Sequence, residues 1–241
     1  MMKFSSVSNI GKIREINEDS YDNISIADYD FFIVADGMGG HSDGELASSL
    51  ACKSFIEFIK TEKLDDYVNI LDYQESAIYA ANDEVYDLAT NKNEKMGTTV
   101  VCCCIDYKNN EYHLSHIGDS RIYLYRQGNL TQLTKDHSLV NELIERGALR
   151  AEEAENFANK SAVTRAVGVS PIAMADHNNL EIQEGDVMLL ATDGLTNELT
   201  DEEISKIISE NEDVYDLSQK LVEAALEAGG KDNITVTTIR M

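Results

Sequence analysis

A hydrophobic run near the N-terminus, Phe31-Phe32-Ile33-Val34-Ala35, ends at Asp36 and is followed by a glycine-rich stretch. Five consecutive apolar residues predict a β-strand that is buried on both of its faces. The three glycines within the next four positions allow the backbone to turn sharply or to approach another group closely. An ionised carboxylate at the end of a buried strand is costly unless it is paired or binds a metal, so Asp36 is a candidate metal ligand.

Two hydrophobic periodicities alternate along the rest of the chain. Apolar residues at helical spacing predict helices over 45–60, 73–88, 138–145, 151–157, 200–209 and 216–228. Runs of β-branched or alternating residues predict strands over 3–7, 21–26, 31–35, 98–105, 112–117, 121–125, 130–133, 180–182, 187–191 and 234–239. Where strands follow strands without an intervening helix, antiparallel hairpins are expected, one of them formed by 180–182 and 187–191.

The order of these elements determines the expected fold class. Two of the longer predicted helices come early and two come late, and most of the strands cluster between them. The simplest scheme that buries every apolar face is an α+β sandwich of two stacked antiparallel sheets with helices on the outer faces. No internal repeat or linker divides the chain, so a single domain over 1–241 is expected. Residues 136–176 have the weakest apolar pattern and are expected to form an excursion from the core.

The chain carries 44 acidic and 20 basic residues, which gives a net charge of −24. That balance argues against nucleic-acid binding and against attachment to anionic membranes, since both need basic surfaces. The N-terminal residues lack the apolar core of a signal peptide, and no apolar run reaches membrane-spanning length. Cys52 and the cysteines at 102–104 have no C-x-x-C spacing, so they are expected to be reduced core residues of a cytoplasmic protein.

The pattern of a buried strand next to an aspartate occurs at three further places. Asp119 and Asp193 each follow a predicted strand, and Asp232 precedes the last one. Each aspartate beside a glycine could by itself be an ordinary turn. In antiparallel sheets, however, the end of one strand lies beside the start of its neighbour, so these carboxylates could meet at one rim. Grouped carboxylates repel one another unless cations neutralise them, and oxygen ligands without His or Cys select Mg²⁺ or Mn²⁺.

Seven short motifs follow one another along the chain, from near residue 10 to near residue 239. They are Arg14-x-x-Asn17-Glu18-Asp19, Val34-Ala35-Asp36-Gly37-Met38-Gly39-Gly40-His41, Met96-Gly97-Thr98-Thr99, Gly118-Asp119-Ser120-Arg121, Asp136-His137-Ser138, Gly185-Asp186-x-x-Leu189-Leu190-x-x-Asp193-Gly194-Leu195 and Gly229-Gly230-Lys231-Asp232-Asn233-Ile234-Thr235. In this order the set resembles the metal-dependent protein serine/threonine phosphatases of the PPM (type 2C) family, in their compact bacterial form. Each motif alone is weakly specific, whereas the complete ordered set is highly specific and covers the whole chain.

The resemblance implies an α-β-β-α sandwich, in agreement with the layers argued above, and a centre that holds two Mg²⁺ or Mn²⁺ ions. Asp36 would bridge both ions, and the carbonyl oxygen of Gly37 would bind one of them. Asp193 and Asp232 would bind the other ion. Asp119, together with Asp193, would hold a third and more weakly bound ion.

The resemblance also implies roles for residues that do not bind the two main ions directly. Glu18 and Asp19 would support the centre, largely through metal-bound water, and Arg14 would bind the substrate phosphate. Eukaryotic relatives carry a His directly after the Asp-Gly pair, where this chain has Met38. His41 and a metal-bound water are therefore the candidate proton donors for the leaving group.

The resemblance implies hydrolysis of phosphoserine and phosphothreonine in proteins, for which these residues would use a hydroxide that bridges two metal ions, without a phosphoenzyme. By the same resemblance the expected partners are phosphorylated proteins and a Ser/Thr kinase with the same targets, and the expected state is a monomer. Residues 136–176 would match the family's flap beside the active site, and His137 is expected to make local hydrogen bonds. Two alternatives stay open: a catalytically silent phosphoprotein-binding module of the same fold, and a calcium-binding structural protein, although the sequence contains no EF-hand loop.

Overall fold

The protein forms two antiparallel β-sheets with helices on their outer faces, as seen in a computed structural model that describes residues 2–40, 43–157 and 162–241. For Ala151, Glu155 and Asn156 only the backbone is described. The strands are β1 (Lys3–Asn9), β2 (Asp19–Ile26), β3 (Tyr29–Gly39), β4 (Met96–Thr98), β5 (Val100–Asp106), β6 (Glu111–Ile117), β7 (Arg121–Arg126), β8 (Asn129–Gln132), β9 (Asp176–Glu181), β10 (Val187–Ala191) and β11 (Ile234–Arg240). The helices are α1 (Asp43–Thr61), α2 (Ile70–Lys92), α3 (Leu139–Glu145), α4 (Asp193–Thr196), α5 (Asp201–Glu210) and α6 (Val214–Ala228), with 3₁₀ helices at Leu64–Asp66 and Ala151–Asn156.

The two sheets use strands from distant parts of the chain. One sheet has the strand order β1-β11-β10-β7-β8, and the other has the order β2-β3-β5-β6-β9 with β4 paired to β3. The first and last strands pair with each other, from Lys3 opposite Arg240 to Asn9 opposite Ile234. This pairing brings the loop after β1 to the residues that precede β11, which include the predicted metal ligand Asp232.

Alternate residues of the central strands face different cores. Phe31 and Ile33 of β3 belong to the core shared with α1 and α2, whereas Phe32 and Val34 belong to the core between the two sheets. Strand β10 alternates in the same way between the inter-sheet core and the core under α5 and α6. The hydrophobic runs are continuous because both faces of these strands are buried. Among the described helices, none combines the length and the hydrophobicity needed to cross a membrane.

The predicted α+β class and the four α-β-β-α layers are confirmed. The predicted hairpin of 180–182 with 187–191 is wrong, because β9 pairs with β6 in one sheet and β10 lies between β7 and β11 in the other. A turn signal between two strands indicates a change of direction, but it does not say to which sheet the chain returns.

Strand β3 also differs from the prediction, because it continues past Asp36 to Gly39. The strand pairs with β5 as far as Val34 and with β4 from Gly37 onwards. Asp36 therefore lies inside a strand, at the point where β3 changes its partner.

A buried ion pair holds the connection that crosses from one sheet to the other. The Asp186 side chain is 1% exposed, and its two oxygens accept hydrogen bonds of 2.7 Å each from Arg126. Oδ2 of Asp186 also accepts from the backbone N–H of Gln183 at 2.9 Å. Since Arg126 donates in addition to the carbonyl of Glu181 at 2.7 Å, one guanidinium ties the end of β9 to the start of β10.

Replacing Arg126 with methionine is expected to lower the free energy of unfolding by about 3–5 kcal/mol, because the Asp186 carboxylate stays buried without its cation. Urea denaturation at pH 7 measures this change. The exposed Arg146 offers a matched control, for which replacement with methionine should change stability by less than about 0.5 kcal/mol. An equally small effect at Arg126 would contradict a structural role for the ion pair.

Candidate metal centre

Five aspartates from separate parts of the chain meet at one end of the sandwich. Asp19, the first residue of β2, is paired directly with Asp36 of β3. Asp193 is the first residue of α4, Asp232 lies just before β11, and Asp119 lies between β6 and β7. Burial raises the pKa of Asp36 well above its usual value, and the negative charges of the other four aspartates raise it further. The structure thus brings the four predicted aspartate ligands together and places Asp19 beside them.

The backbone of Asp36 is held by the last residue of β4, Thr98, and by Thr99, which follows it. Its N–H donates to Oγ1 of Thr99 at 3.1 Å, and its carbonyl accepts from the N–H of Thr99 at 2.8 Å. The same carbonyl accepts from Oγ1 of Thr98 at 2.8 Å. Because these contacts use the main chain, they fix the position of Asp36 and leave its carboxylate oxygens available to a cation.

The start of α1 closes tightly over the centre. The N–H of Gly37 donates to the carbonyl of Glu18 at 3.0 Å. A Cβ at Gly37 would lie 2.0 Å from the carbonyl oxygen of Gly44, and a Cβ at Gly44 would lie 2.2 Å from Oε1 of Glu18. A side chain at Gly37 would force the two backbones apart, and one at Gly44 would displace the carboxylate of Glu18. The close approach expected from the glycine-rich stretch is therefore present.

Asn233 joins the loop before β2 to the start of β11. Its Oδ1 accepts from the N–H of Glu18 at 2.8 Å, and its Nδ2 donates to the carbonyls of Ile10 and Ile16 at 2.9 and 3.0 Å. This side chain therefore orients the loop that carries Arg14 and Glu18 against the segment that carries Asp232.

Asp19 and Asp193 are each held through one carboxylate oxygen. Oγ1 of Thr192 donates to Oδ2 of Asp19 at 2.9 Å, and Nδ2 of Asn197 donates to Oδ2 of Asp193 at 2.9 Å. Oδ1 of Asp19 and Oε1 of Glu18 are buried and have no hydrogen-bond partner among the described residues. Buried carboxylate oxygens without donors are positions at which a cation is stabilised.

The electrostatics of the centre also favour a cation. The pKa of Asp19 is raised to about 7, mainly by burial and in addition by the charges of Asp193 and Asp232. Burial and the charge of Asp193 likewise raise the pKa of Asp119 to about 7. Burial raises the pKa of Glu18 as well. An all-oxygen donor set with this concentration of negative charge fits Mg²⁺ or Mn²⁺.

Arg14 lies at the open side of the same centre. Its Nη2 donates to Oδ2 of Asp232 at 2.9 Å, and its side chain remains 48% exposed. This hydrogen bond raises the pKa of the guanidinium. The negative charges of Glu18 and Asp36 raise it further. An exposed, permanently charged guanidinium beside partly buried carboxylates is in a position to meet an incoming anion.

The predicted proton donor His41 lies outside the described residues. Met38 directly follows the Asp36-Gly37 pair, where the resemblance places a histidine in eukaryotic relatives. The residue is partly buried, and within β3 it is paired with Gly97 of β4.

The family model for protein phosphatase 2C matches residues 15–234 of this chain. The chain belongs to the protein phosphatase 2C family. Protein phosphatase PhpP of Streptococcus pneumoniae is 35% identical over 244 aligned residues, which cover 100% of this chain and 98% of the relative. The solved serine/threonine phosphatase of S. agalactiae has a TM-score of 0.92 at 32% identity and covers 100% of both chains.

The catalytic domain of the serine/threonine protein phosphatase PstP, solved in complex with two manganese ions, has a TM-score of 0.84 at 32% identity. That match covers 99% of this chain and 97% of the solved domain. The predicted family, the predicted sandwich and the predicted enzyme class of protein phosphatase are thus confirmed.

Several residues that hold the phosphatase centre were given no role by the sequence. Thr98, Thr99 and Asn233 lie inside two of the quoted motifs, and Thr192 directly precedes Asp193. Asn233 and Thr192 are each next to an aspartate in the sequence, whereas Thr98 and Thr99 are only a pair of hydroxyl residues at the start of a predicted strand. Neither signal identifies the distant group to which each side chain binds, so only the folded chain assigns their contacts.

In the absence of metal, replacing Asp119 with asparagine is expected to stabilise the protein at pH 8. The folded-state pKa of Asp119 is raised to about 7 from an ordinary 3.8, so its contribution to stability is fully present below pH 3.8 and is lost as pH rises through 7. The amide removes this penalty, which amounts to at most about 4 kcal/mol at 1.36 kcal/mol per pKa unit.

Urea denaturation in EDTA at pH values from 4 to 8 measures this difference between the variant and the wild type. We expect the advantage of the variant to grow with pH, whereas Asp87→Asn, a change at an exposed helical position, should give a pH-independent difference. A pH-independent difference for Asp119→Asn as well would contradict the raised pKa.

Proposed function

We propose that this phosphatase hydrolyses phosphoserine and phosphothreonine in proteins at the five-aspartate centre. The observation that carries the proposal is the convergence of mutually repelling carboxylates beside the exposed guanidinium of Arg14. Repelling carboxylates that are buried or partly buried are stabilised in a charged state by cations, and cations together with an arginine attract an anionic phosphate. The confirmed enzyme class agrees with this chemistry.

The donor atoms present are those that two divalent ions need. Asp36 would serve both ions, the carbonyl of Gly37 would bind one of them, and Asp193 and Asp232 would bind the other. Asp119 would hold a third ion together with Asp193. When bound, the paired ions supply Lewis acidity and lower the pKa of a shared water, which makes a nucleophile available near neutral pH.

The cysteines of the chain are not candidates for a covalent mechanism. Cys52, Cys102, Cys103 and Cys104 are all buried, and burial raises the pKa of each thiol. A buried thiol that stays protonated is a poor nucleophile. This supports direct attack by water, without a phosphoenzyme.

Arg14 would bind two phosphoryl oxygens through its exposed edge while Asp232 holds its Nη2. A bidentate contact of this kind orients the phosphate and offsets negative charge that develops during phosphoryl transfer. The leaving Ser or Thr oxygen then needs a proton, for which His41 and a water molecule are the two candidates. The physiological substrates would be the targets of a Ser/Thr kinase, and residues 136–176 would contact them as a flap.

Replacing Asp36 with asparagine is expected to lower turnover of p-nitrophenyl phosphate or a phosphothreonine peptide by at least about 10³-fold, because a carboxylate that would hold both ions is lost. Assays with Mn²⁺ and with EDTA measure this, and the wild type should be inactive in EDTA. Thermal unfolding shows whether the variant is folded, and Asp87→Asn serves as the matched control. Absence of metal-dependent turnover in the wild type would instead favour a phosphoprotein-binding module.

Replacing Arg14 with alanine is expected to lower kcat/KM for a phosphothreonine peptide by about 10²-fold, because a charged contact to the phosphate is removed. Lysine at this position should restore only part of the loss, since an ammonium cannot form the bidentate contact. Steady-state kinetics with Arg146→Ala as the control decide the point. An unchanged kcat/KM for Arg14→Ala would overturn the phosphate-binding role.

A further inference from the structure

A second cluster of polar side chains lies beside the centre, where the beginning and the later part of segment 136–176 meet. It contains His137, Asp176 and Arg165, with His116 stacked on His137 at a ring-centroid distance of 4.7 Å. His137 comes from the beginning of the segment, whereas Arg165 and Asp176 come from its end. The cluster therefore joins the two ends of the segment to each other.

The hydrogen bonds determine which ring nitrogen of His137 carries the proton. The N–H of Gly118 donates to Nδ1 of His137 at 3.1 Å, so Nδ1 is an acceptor. Nε2 then carries the proton and lies 3.2 Å from Oδ2 of Asp176 and 3.3 Å from Nη1 of Arg165. Since a guanidinium can only donate, the carboxylate of Asp176 is the acceptor of the two. Arg165 binds the other oxygen of Asp176 through Nη1 at 2.8 Å. An uninterrupted series of contacts thus runs from Arg165 through Asp176 and His137 to Gly118.

The donor atoms of His116, His137 and Asp176 lie within 4.8 Å of one another, a spacing that is also compatible with a metal ion. Three contacts oppose that interpretation. Both nitrogens of His137 are engaged, Nε2 of His116 lies 2.9 Å from the carbonyl of Lys135, and Arg165 already supplies a cation to Asp176. These side chains are arranged for hydrogen bonding rather than for metal binding.

The backbone that His137 binds is the backbone that carries Asp119. Gly118 directly precedes Asp119, and its carbonyl accepts from the N–H of His137 at 2.9 Å in addition to the contact with the ring. On the other side, Gly118 has φ +111°, and a Cβ there would lie 2.6 Å from the side chain of Thr99. Oγ of Ser120 forms a 2.7 Å hydrogen bond with Thr99 as well. The residues around Asp119 are therefore held between Thr99, which positions Asp36, and His137.

We propose that His137, oriented by Asp176 and Arg165, is a positioning residue that aims the Asp119 carboxylate at the metal centre. The contacts couple the conformation of the described parts of segment 136–176, which carry His137, Arg165 and Asp176, to the occupancy of the site that Asp119 serves. The proposal depends on the proposed function only in that Asp119 is a metal ligand. A change in the segment that breaks the Asp176 contact would loosen Asp119 without touching the other ligands.

Two replacements of His137 separate its contacts. Asparagine places an acceptor near the position of Nδ1 and keeps the contact with Gly118. Glutamine reaches towards Asp176 instead and loses the contact with Gly118. Calorimetric titration of the metal-free protein with Mn²⁺, without substrate, measures the Mn²⁺ affinity of each binding site. For His137→Gln we expect the Asp119-dependent site to weaken by about 10-fold or more, as is typical when a residue that supports a metal ligand is lost. For His137→Asn we expect a loss of less than about 3-fold, because the contact that holds Gly118 is kept.

The Asp119→Ala background tests whether His137 acts through Asp119. In that background His137→Gln should cause no further loss of Mn²⁺ binding. Arg165→Gln should weaken the same site by about 3-fold, and Arg146→Gln, in the same segment but outside the cluster, should have no effect. If His137→Gln does not fold, as judged by thermal unfolding, Asp176→Ala and Arg165→Gln decide the question.

Equal Mn²⁺ affinities for wild type, His137→Gln and Arg165→Gln would overturn the proposal. So would Mn²⁺ binding that is unchanged in Asp119→Ala, or a Zn²⁺ site that is lost with His116→Ala. If the wild type binds Mn²⁺ through Asp119 but does not cleave phosphopeptides, the proposed function fails while the positioning role of His137 stands.

Discussion

The main physical constraint on the structure is the repulsion among five carboxylates, one buried and four partly buried, at one end of a β-sandwich. Asp19, Asp36 and Asp193 each have a raised pKa because they are removed from water and lie close to further negative charges. Such a group of charges opposes folding unless cations bind to it. Register and strand order nevertheless bring the carboxylates together, since Asp19 and Asp36 are direct partners across β2 and β3.

The surrounding residues hold this centre mainly by its backbone. Thr98 and Thr99 bind the main chain of Asp36, and Asn233 binds the main chain of Glu18. If donors had instead satisfied every carboxylate oxygen, the site would be stable without metal and would bind metal weakly. Among the described residues, one carboxylate oxygen of Glu18 and one of Asp19 have no hydrogen-bond partner. This fits a site that is less stable without metal and binds metal more tightly as a result.

The high negative charge of the protein presents a second electrostatic problem. A chain with a net charge of −24 repels an anionic phosphoprotein at long range. Local positive charge at the centre has to overcome that repulsion. It can do so at short range, where salt screens the attraction to the phosphate only weakly. Arg14, at the edge of the centre, and bound cations would provide this local charge.

The amino-acid sequence by itself determined the layers, the family and the identity of the acidic residues. These follow from short-range signals: continuous apolar runs for strands buried on both faces, helical periodicity for the outer layers, and seven ordered motifs for the family. The tertiary structure decided how these pieces meet. Only the fold shows that β9 and β10 lie in different sheets, that β3 continues past Asp36, and that His137 binds the backbone next to Asp119. The physical reason is that each of these contacts joins groups far apart in the chain, and their geometry is set by the packing of both sheets at once rather than by any local segment.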